Sequence, residues 1–317
     1  MEIIYNKVFL EHDTGAHPES RKRLEALGQL PETRVENGEH YLELFHTKEY
    51  VNRIKAACEK GLRLDGDTIT SRGTYNAAVH AVGAAVMASD SKGFAIVRPP
   101  GHHAHSSRFG GFCIFNNLGI AAERLARQGK RVLVLDFDGH CGDGTEDFFY
   151  ERSDVMYWSL HQWPAYPGTG TVDQIGNGKG KGYTINVPLP PGTGDDIYLD
   201  AMGMFMPVAE QFNPDAVAVS AGFDGHQRET LLDLKLSVDT YYEIGRILRK
   251  FSNVFAVLEG GYNLEAFPKC VFNFLDGANG KPKQYSEEAT DSRIITIEEF
   301  TEQAERLKLK LAAFWKI

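Results

Sequence analysis

Cysteine is scarce and poorly placed for structural work: Cys58, Cys113, Cys141 and Cys270 are the only four, and no two form a C-x-x-C pair. That spacing signals neither a thiolate zinc site nor a disulfide framework, and it fits a reducing compartment. A basic block is also missing: 34 Lys+Arg against 43 Asp+Glu give a formal net charge of -9. Such a balance lacks the electrostatic footprint of a phosphate-backbone reader, so direct nucleic-acid binding is not expected. No apolar run approaches the ~20 residues that span a bilayer. The opening MEIIYNKVFLEHD has neither a basic leader nor an apolar core, so a cytoplasmic chain without membrane contact is expected. Internal repeats, low-complexity tracts and linkers are absent too, and one domain over residues 1–317 is the expectation.

Glycine, by contrast, is plentiful, with 32 of 317 residues against about 7% on average, which points to tight turns and close backbone approach. Short aliphatic runs alternate with amphipathic stretches. The runs Phe94 to Val97, Arg131 to Leu135, Val155 to Leu160, Tyr183 to Pro188, Ala216 to Ser220 and Val254 to Leu258 read as strands, several of them apolar throughout. Continuous apolar runs fit strands buried on both faces. Helical patterns cover Tyr75 to Ser89, Asn117 to Gln128, Ile197 to Phe212, Val238 to Phe251 and Ile297 to Phe314. Strand and helix alternating at this spacing predict an α/β protein, a central parallel sheet flanked by helices.

In such sheets, sites form at the carboxyl ends of the strands. RPPGHH with His102 and His103 follows the first run, and DFDGHCGD with Asp136, Asp138, His140 and Asp143 follows the second. His161, then Asp224 and His226 in AGFDGH, then Tyr262 in EGGYN follow later runs. Asp138 and His140 stand two apart, so in extended backbone they point to one side. Joined by Asp224 from another strand end, they offer two carboxylates and an imidazole to one divalent ion and leave a position open for water. Asp136 and Asp138 read in isolation are equally ordinary helix caps; the second strand-end Asp and the His-His pair weigh against that.

RPPGHH, GGFCIFNN, DFDGHCGDGT, SLH, PGTG, SAGFD and LEGGYN, in this order and spacing, resemble the histone deacetylase family, which includes deacetylase-like proteins of bacteria and archaea and acetylpolyamine amidohydrolases. The likeness runs from HPESRKRL near residue 17 to LEGGYN near 263. It implies an arginase/deacetylase fold and a single zinc or ferrous ion on Asp138, His140 and Asp224. It further implies His102 and His103 as acid and base, with Asp136 behind the first and Asp143 behind the second, and Tyr262 as the carbonyl-polarising hydroxyl. Phe112 and Tyr166 match the walls of an acyl-lysine channel, with the Gly111 carbonyl accepting the substrate N–H, and Asp67 loosely matches a rim aspartate. Asp136, Asp138, His140, Ser159 and Leu160 match a structural potassium site. The implied reaction removes an acetyl or other short acyl group from an amine, acyl-lysine first and acetylpolyamines or other small N-acyl amines as the alternative.

Gly139 and Cys141 stand where that family commonly has valine and histidine, and QRETLLDLKLS replaces the usual glycine-rich acidic loop after SAGFDGH. A thiol beside a metal and a histidine could be reactive, since positive charge lowers thiol pKa. A two-manganese ureohydrolase would need carboxylates where Gly142 and His226 stand. A non-catalytic binder would ordinarily have lost a ligand, a histidine or the tyrosine, and all are present.

Overall fold

The computed structural model describes residues 1–317. Seven strands form one sheet: β1 (Ile3–Ile4), β2 (Phe94–Ala95), β3 (Val132–Asp136), β4 (Val155–Gln162), β5 (Thr184–Leu189), β6 (Ala216–Ala221) and β7 (Val254–Leu258). Their spatial order is β1-β2-β7-β6-β3-β4-β5, and every pairing is parallel. The helices are α1 (Lys22–Ala26), α2 (Lys48–Lys60), α3 (Thr74–Ser91), α4 (Asn117–Arg127), α5 (Asp143–Phe149), α6 (Asp195–Phe212), α7 (Val238–Leu248), α8 (Phe267–Asn279) and α9 (Ile294–Leu311). This is the α/β arrangement expected of an arginase/deacetylase fold, and no helix is long and apolar enough to cross a membrane.

The aliphatic runs became strands because helices cover them. α3 and α4 pack together and against β7, while α6 lies on β4, α9 on β5 and α7 on α8. Every residue of β3, β4, β5, β6 and β7 is buried, and each Val or Leu so enclosed contributes about 1.5–3 kcal/mol. Phe137 at the end of β3 meets Phe223, Tyr241 and Phe274 with ring centroids 5.2–6.1 Å apart. That aromatic cluster fastens the strand ends to α7 and α8.

Register then aligns the chemistry. Asp136 pairs with Ser159 on β4 and with Ser220 on β6, so the end of β3 lies level with those two serines, while β4 runs on to Gln162. From β3 the chain proceeds to β4 on one side; from β6, on the other side of β3, it proceeds away to β7. The gap between β3 and β6 is the topological switch point, where the loops diverge and leave a crevice.

The edge strand Ile3–Ile4 and helices α1, α2, α5 and α8 go beyond the expected elements. α2 carries Tyr50, Ile54, Ala57 and Cys58 on one buried face, with Thr47 accepting from Tyr50 N–H and Gly61 closing it at φ +61°. The α8 sequence FPKCVFNFLDGAN is diluted by Asn273, Asp276 and Gly277, and packing against α7 supplies what its propensity lacks.

Candidate active site

At the end of β3, Asp138 and His140 meet Asp224 from the end of β6: the His140 Nδ1 atom lies 3.2 Å from Asp138 Oδ1 and 2.9 Å from Asp224 Oδ2. All three donor atoms lie within 4.8 Å of one another. Backbone amides fix the carboxylates, Gly260 N–H donating to Asp138 Oδ2 at 2.8 Å and Gly139 N–H to Asp224 Oδ1 at 2.7 Å. Close approach explains two glycines here: a Cβ on Gly222 would overlap Asp138, and one on Gly260 would overlap both aspartates. Burial alone would lower the pKa of His140, yet Asp224 and Asp138 hold it up at about 10. Two carboxylates and an imidazole converging on one point fit a single divalent cation.

The histidine pair sits beside this cluster, each ring backed by its own acid. His102 Nδ1 is 3.2 Å from Asp136 Oδ2, and His103 Nδ1 is 2.7 Å from Asp143 Oδ1. Burial opposes charge on His102, but the Asp138 and Asp136 carboxylates raise its pKa well above the usual value. His103 goes the other way, to about 4, driven by burial and then by the charge of His102, against the pull of Asp143. Glu259 accepts the Gly101 N–H at 2.7 Å and the His102 N–H at 3.2 Å, which pins the turn carrying both rings.

Tyr262 follows β7 on the glycine turn, its ring edge-on to Phe112 at 5.7 Å between centroids. The Arg23 guanidinium lies over the same ring, 4.9 Å from its centroid, and donates to the Gly261 and Glu259 carbonyls. Arg23 and Arg98 are both fully buried and share the Glu19 carboxylate. Burial pushes the Tyr262 phenol well above its usual pKa, so it is a protonated hydrogen-bond donor.

A cavity of about 410 Å³ joins His102, His103, His140 and Tyr262 to Gly111, Phe112, Tyr166 and Asp67. Phe112 packs against His17 as well as Tyr262, and holds φ +69°, a left-handed conformation rare outside glycine. Tyr166 stands edge-on to His103 at 5.0 Å and is 53% exposed. The Gly111 carbonyl accepts a 3.3 Å contact from the Cys113 thiol and keeps a second lone pair. Asp65 closes its own turn on the Asp67 and Thr68 amides, whereas the Asp67 carboxylate makes no hydrogen bond to the protein.

Other residues stand apart from the cavity. Ser159 bonds His161 Nδ1 at 2.8 Å, and both, with Leu160, are fully buried behind the ligand cluster. Cys141 is buried with its thiol 3.5 Å from Glu146 Oε2, and burial followed by Glu146 pushes its pKa well above the ordinary value. That environment opposes a reactive thiolate. His226 points to Glu287 at 2.8 Å rather than to the ligand cluster. His17, Pro18, Asp65 and Leu231 line the cavity without having been singled out as lining residues in the sequence. Of these, His17 and Pro18 lie in HPESRKRL, so a signal for them existed. Arg23, in the same stretch, and Glu229 support the site from outside the strand-end motifs, and Glu259 does so from within EGGYN.

The histone deacetylase domain profile matches residues 17–278. A probable deacetylase of Archaeoglobus fulgidus is 35% identical, over 99% of this chain and 98% of that protein. The chloroplastic histone deacetylase 10 of Oryza sativa subsp. japonica is 34% identical, over 86% of this chain and 71% of that protein. Among solved structures, the HDA15 HD domain superposes with a TM-score of 0.89 at 28% identity, covering 99% of this chain and 94% of that one.

Proposed function

The chain belongs to the histone deacetylase family, and from that premise we propose that it is a metal-dependent amidohydrolase that removes an acetyl or other short acyl group from an amine, acyl-lysine foremost. The observation that supports it is the convergence of Asp138, His140 and Asp224 on the cavity shared by His102, His103 and Tyr262. A zinc or ferrous ion on those three ligands would lower the pKa of water from about 15.7 toward about 7 and polarise an acyl oxygen.

Amide hydrolysis needs an activated water, a stabilised oxyanion and a proton for the departing amine. His103, neutral near pH 7 and oriented by Asp143, has its Nε2 free to take a proton from water. His102, kept cationic by Asp138 and Asp136, supplies positive charge to the developing anion. The Tyr262 hydroxyl donates to the oxyanion. Phe112 and Tyr166 wall a slot suited to four methylenes, with the Gly111 carbonyl facing the substrate N–H and Asp67 at the rim. Asp136, Asp138, His140, Ser159 and Leu160 would hold potassium beneath the ligands, where it would offset buried negative charge.

Two rim carboxylates, Asp65 and Asp67, favour a second substrate reading, an acylated polyamine whose remaining cations they would attract. A panel of acylated peptides and acylpolyamines assayed for acid release separates the two. Asp138→Ala, His140→Ala and Asp224→Ala should each abolish both binding of one divalent ion and hydrolysis. Two ions per chain by elemental analysis, or full activity after chelation, would overturn the mechanism.

A further inference from the structure

The Tyr262 hydroxyl makes no hydrogen bond to the protein, so its location is set by the backbone that carries it and by ring packing. One peptide unit decides that backbone. Its carbonyl, on Gly261, accepts from Arg23 Nε at 2.6 Å, and its amide, on Tyr262, donates to Glu229 Oε1 at 2.7 Å. The same Glu229 oxygen accepts the next amide, Asn263 N–H, at 2.6 Å. Gly261 sits at φ +111°, a conformation other residues rarely adopt, so this turn needs external hydrogen bonds to hold its orientation.

Glu229 arrives from the loop between β6 and α7, the QRETLLDLKLS segment, and not from the turn itself. The loop is closed at its base by Gln227 N–H on the Leu236 carbonyl at 2.9 Å, and Asn263 Nδ2 adds a bond to the Arg228 carbonyl at 2.8 Å. Its other glutamate oxygen, Oε2, is buried without a partner. Two residues on, Leu231 lines the catalytic cavity and is 41% exposed.

We infer that Glu229 is a positioning residue for Tyr262: it locks the Gly261–Tyr262 peptide and thereby ties the mouth loop to the oxyanion donor. This rests on the hydrolase reading above for its kinetic consequence, and on geometry alone for its structural one. A group displaced by about 1 Å can cost about 10²-fold in rate. Glu229→Ala and the volume-preserving Glu229→Leu should each lower kcat about 10- to 100-fold, with KM changed less than about threefold. Glu229→Gln keeps the accepting oxygen and should stay within about threefold of wild type.

The deciding measurement is a double-mutant cycle with Tyr262→Phe on the metal-loaded protein. With the hydroxyl gone there is nothing left to position, so Glu229→Ala should cost less than about twofold more. A merely structural loss would multiply. In parallel, protein labelled with 3-fluorotyrosine reports the Tyr262 ring by ¹⁹F NMR, its signal assigned by its loss in Tyr262→Phe. That signal should shift or broaden in Glu229→Ala and Glu229→Leu and stay put in Glu229→Gln. Multiplying losses in the cycle, wild-type kcat in both Ala and Leu variants, or an unmoved fluorine signal would overturn the inference. Wild-type protein that releases no acid would sink the hydrolase reading while the fluorine comparison still decides the role of Glu229.

Discussion

Two imidazoles with centroids 4.0 Å apart are pulled in opposite directions, His102 upward by the Asp138 and Asp136 carboxylates against its burial, and His103 downward by burial and by the charge of His102. His102 faces the carboxylates of both Asp136 and Asp138, whereas His103 has Asp143 alone, and Asp143 is shared with His105 at 2.9 Å. Environment thus displaces an adjacent pair in opposite senses, the division that the proposed mechanism draws on. Cys141, buried against Glu146, takes no part in that division. Cys141→Ala should keep activity within about threefold and cost about 1 kcal/mol of stability; a loss as deep as that of His103→Ala would mean a thiol mechanism. Glu146 itself is raised to about 7 by burial, despite the Asn186 amide donating to it at 2.7 Å. Because its folded pKa exceeds the unfolded value of 4.5, the folded state binds the extra proton between the two. Its stabilising contribution is therefore full below pH 4.5 and lost as pH rises through about 7. Glu146→Gln should flatten the decline in melting temperature between about pH 5 and pH 8; an unchanged slope would contradict this.

The end of β3 acts together with its neighbours because Asp136 lies in register with Ser159 on β4 and Ser220 on β6. This was legible in advance: runs such as VLVLD and AVAVS announce buried parallel strands, and the polar residues after them stand out. HPESRKRL was legible as part of a resemblance, but the buried Glu19–Arg23–Arg98 cluster was not, since its partners lie 4 and 79 residues apart along the chain. Glu229 was invisible for the same reason, as a single glutamate bonding backbone amides 33 and 34 positions later. The seven-residue α5 is too short to show a period, and the edge strand Ile3–Ile4 has only two residues. Turns carry a prediction of their own. Gly222→Ala or Gly260→Ala would push a methyl into the ligand carboxylates, so metal affinity should fall about 10- to 100-fold with the fold intact. Unchanged affinity by calorimetric titration would show that those oxygens move freely.

Across the whole molecule, one core supports a site that concentrates negative charge: Asp136, Asp138, Asp224 and Glu259 are all buried within it. Like charges held together in a low-dielectric interior oppose folding unless a cation accompanies them. Zinc should therefore raise the melting temperature, by about 2.7 kcal/mol of stabilisation at a hundredfold excess over Kd, and chelation should reverse it. Asp224→Ala should abolish the response. The chemistry itself is tested most directly by incubating the metal-loaded chain with an acetyl-lysine peptide and quantifying acetate and free amine together. The expected result is equimolar release, lost on chelation, restored by one equivalent of ion, and lowered about 10²- to 10³-fold in Tyr262→Phe although that variant still binds the peptide. Metal-loaded wild type that binds the peptide yet releases no more acetate than Tyr262→Phe would contradict it.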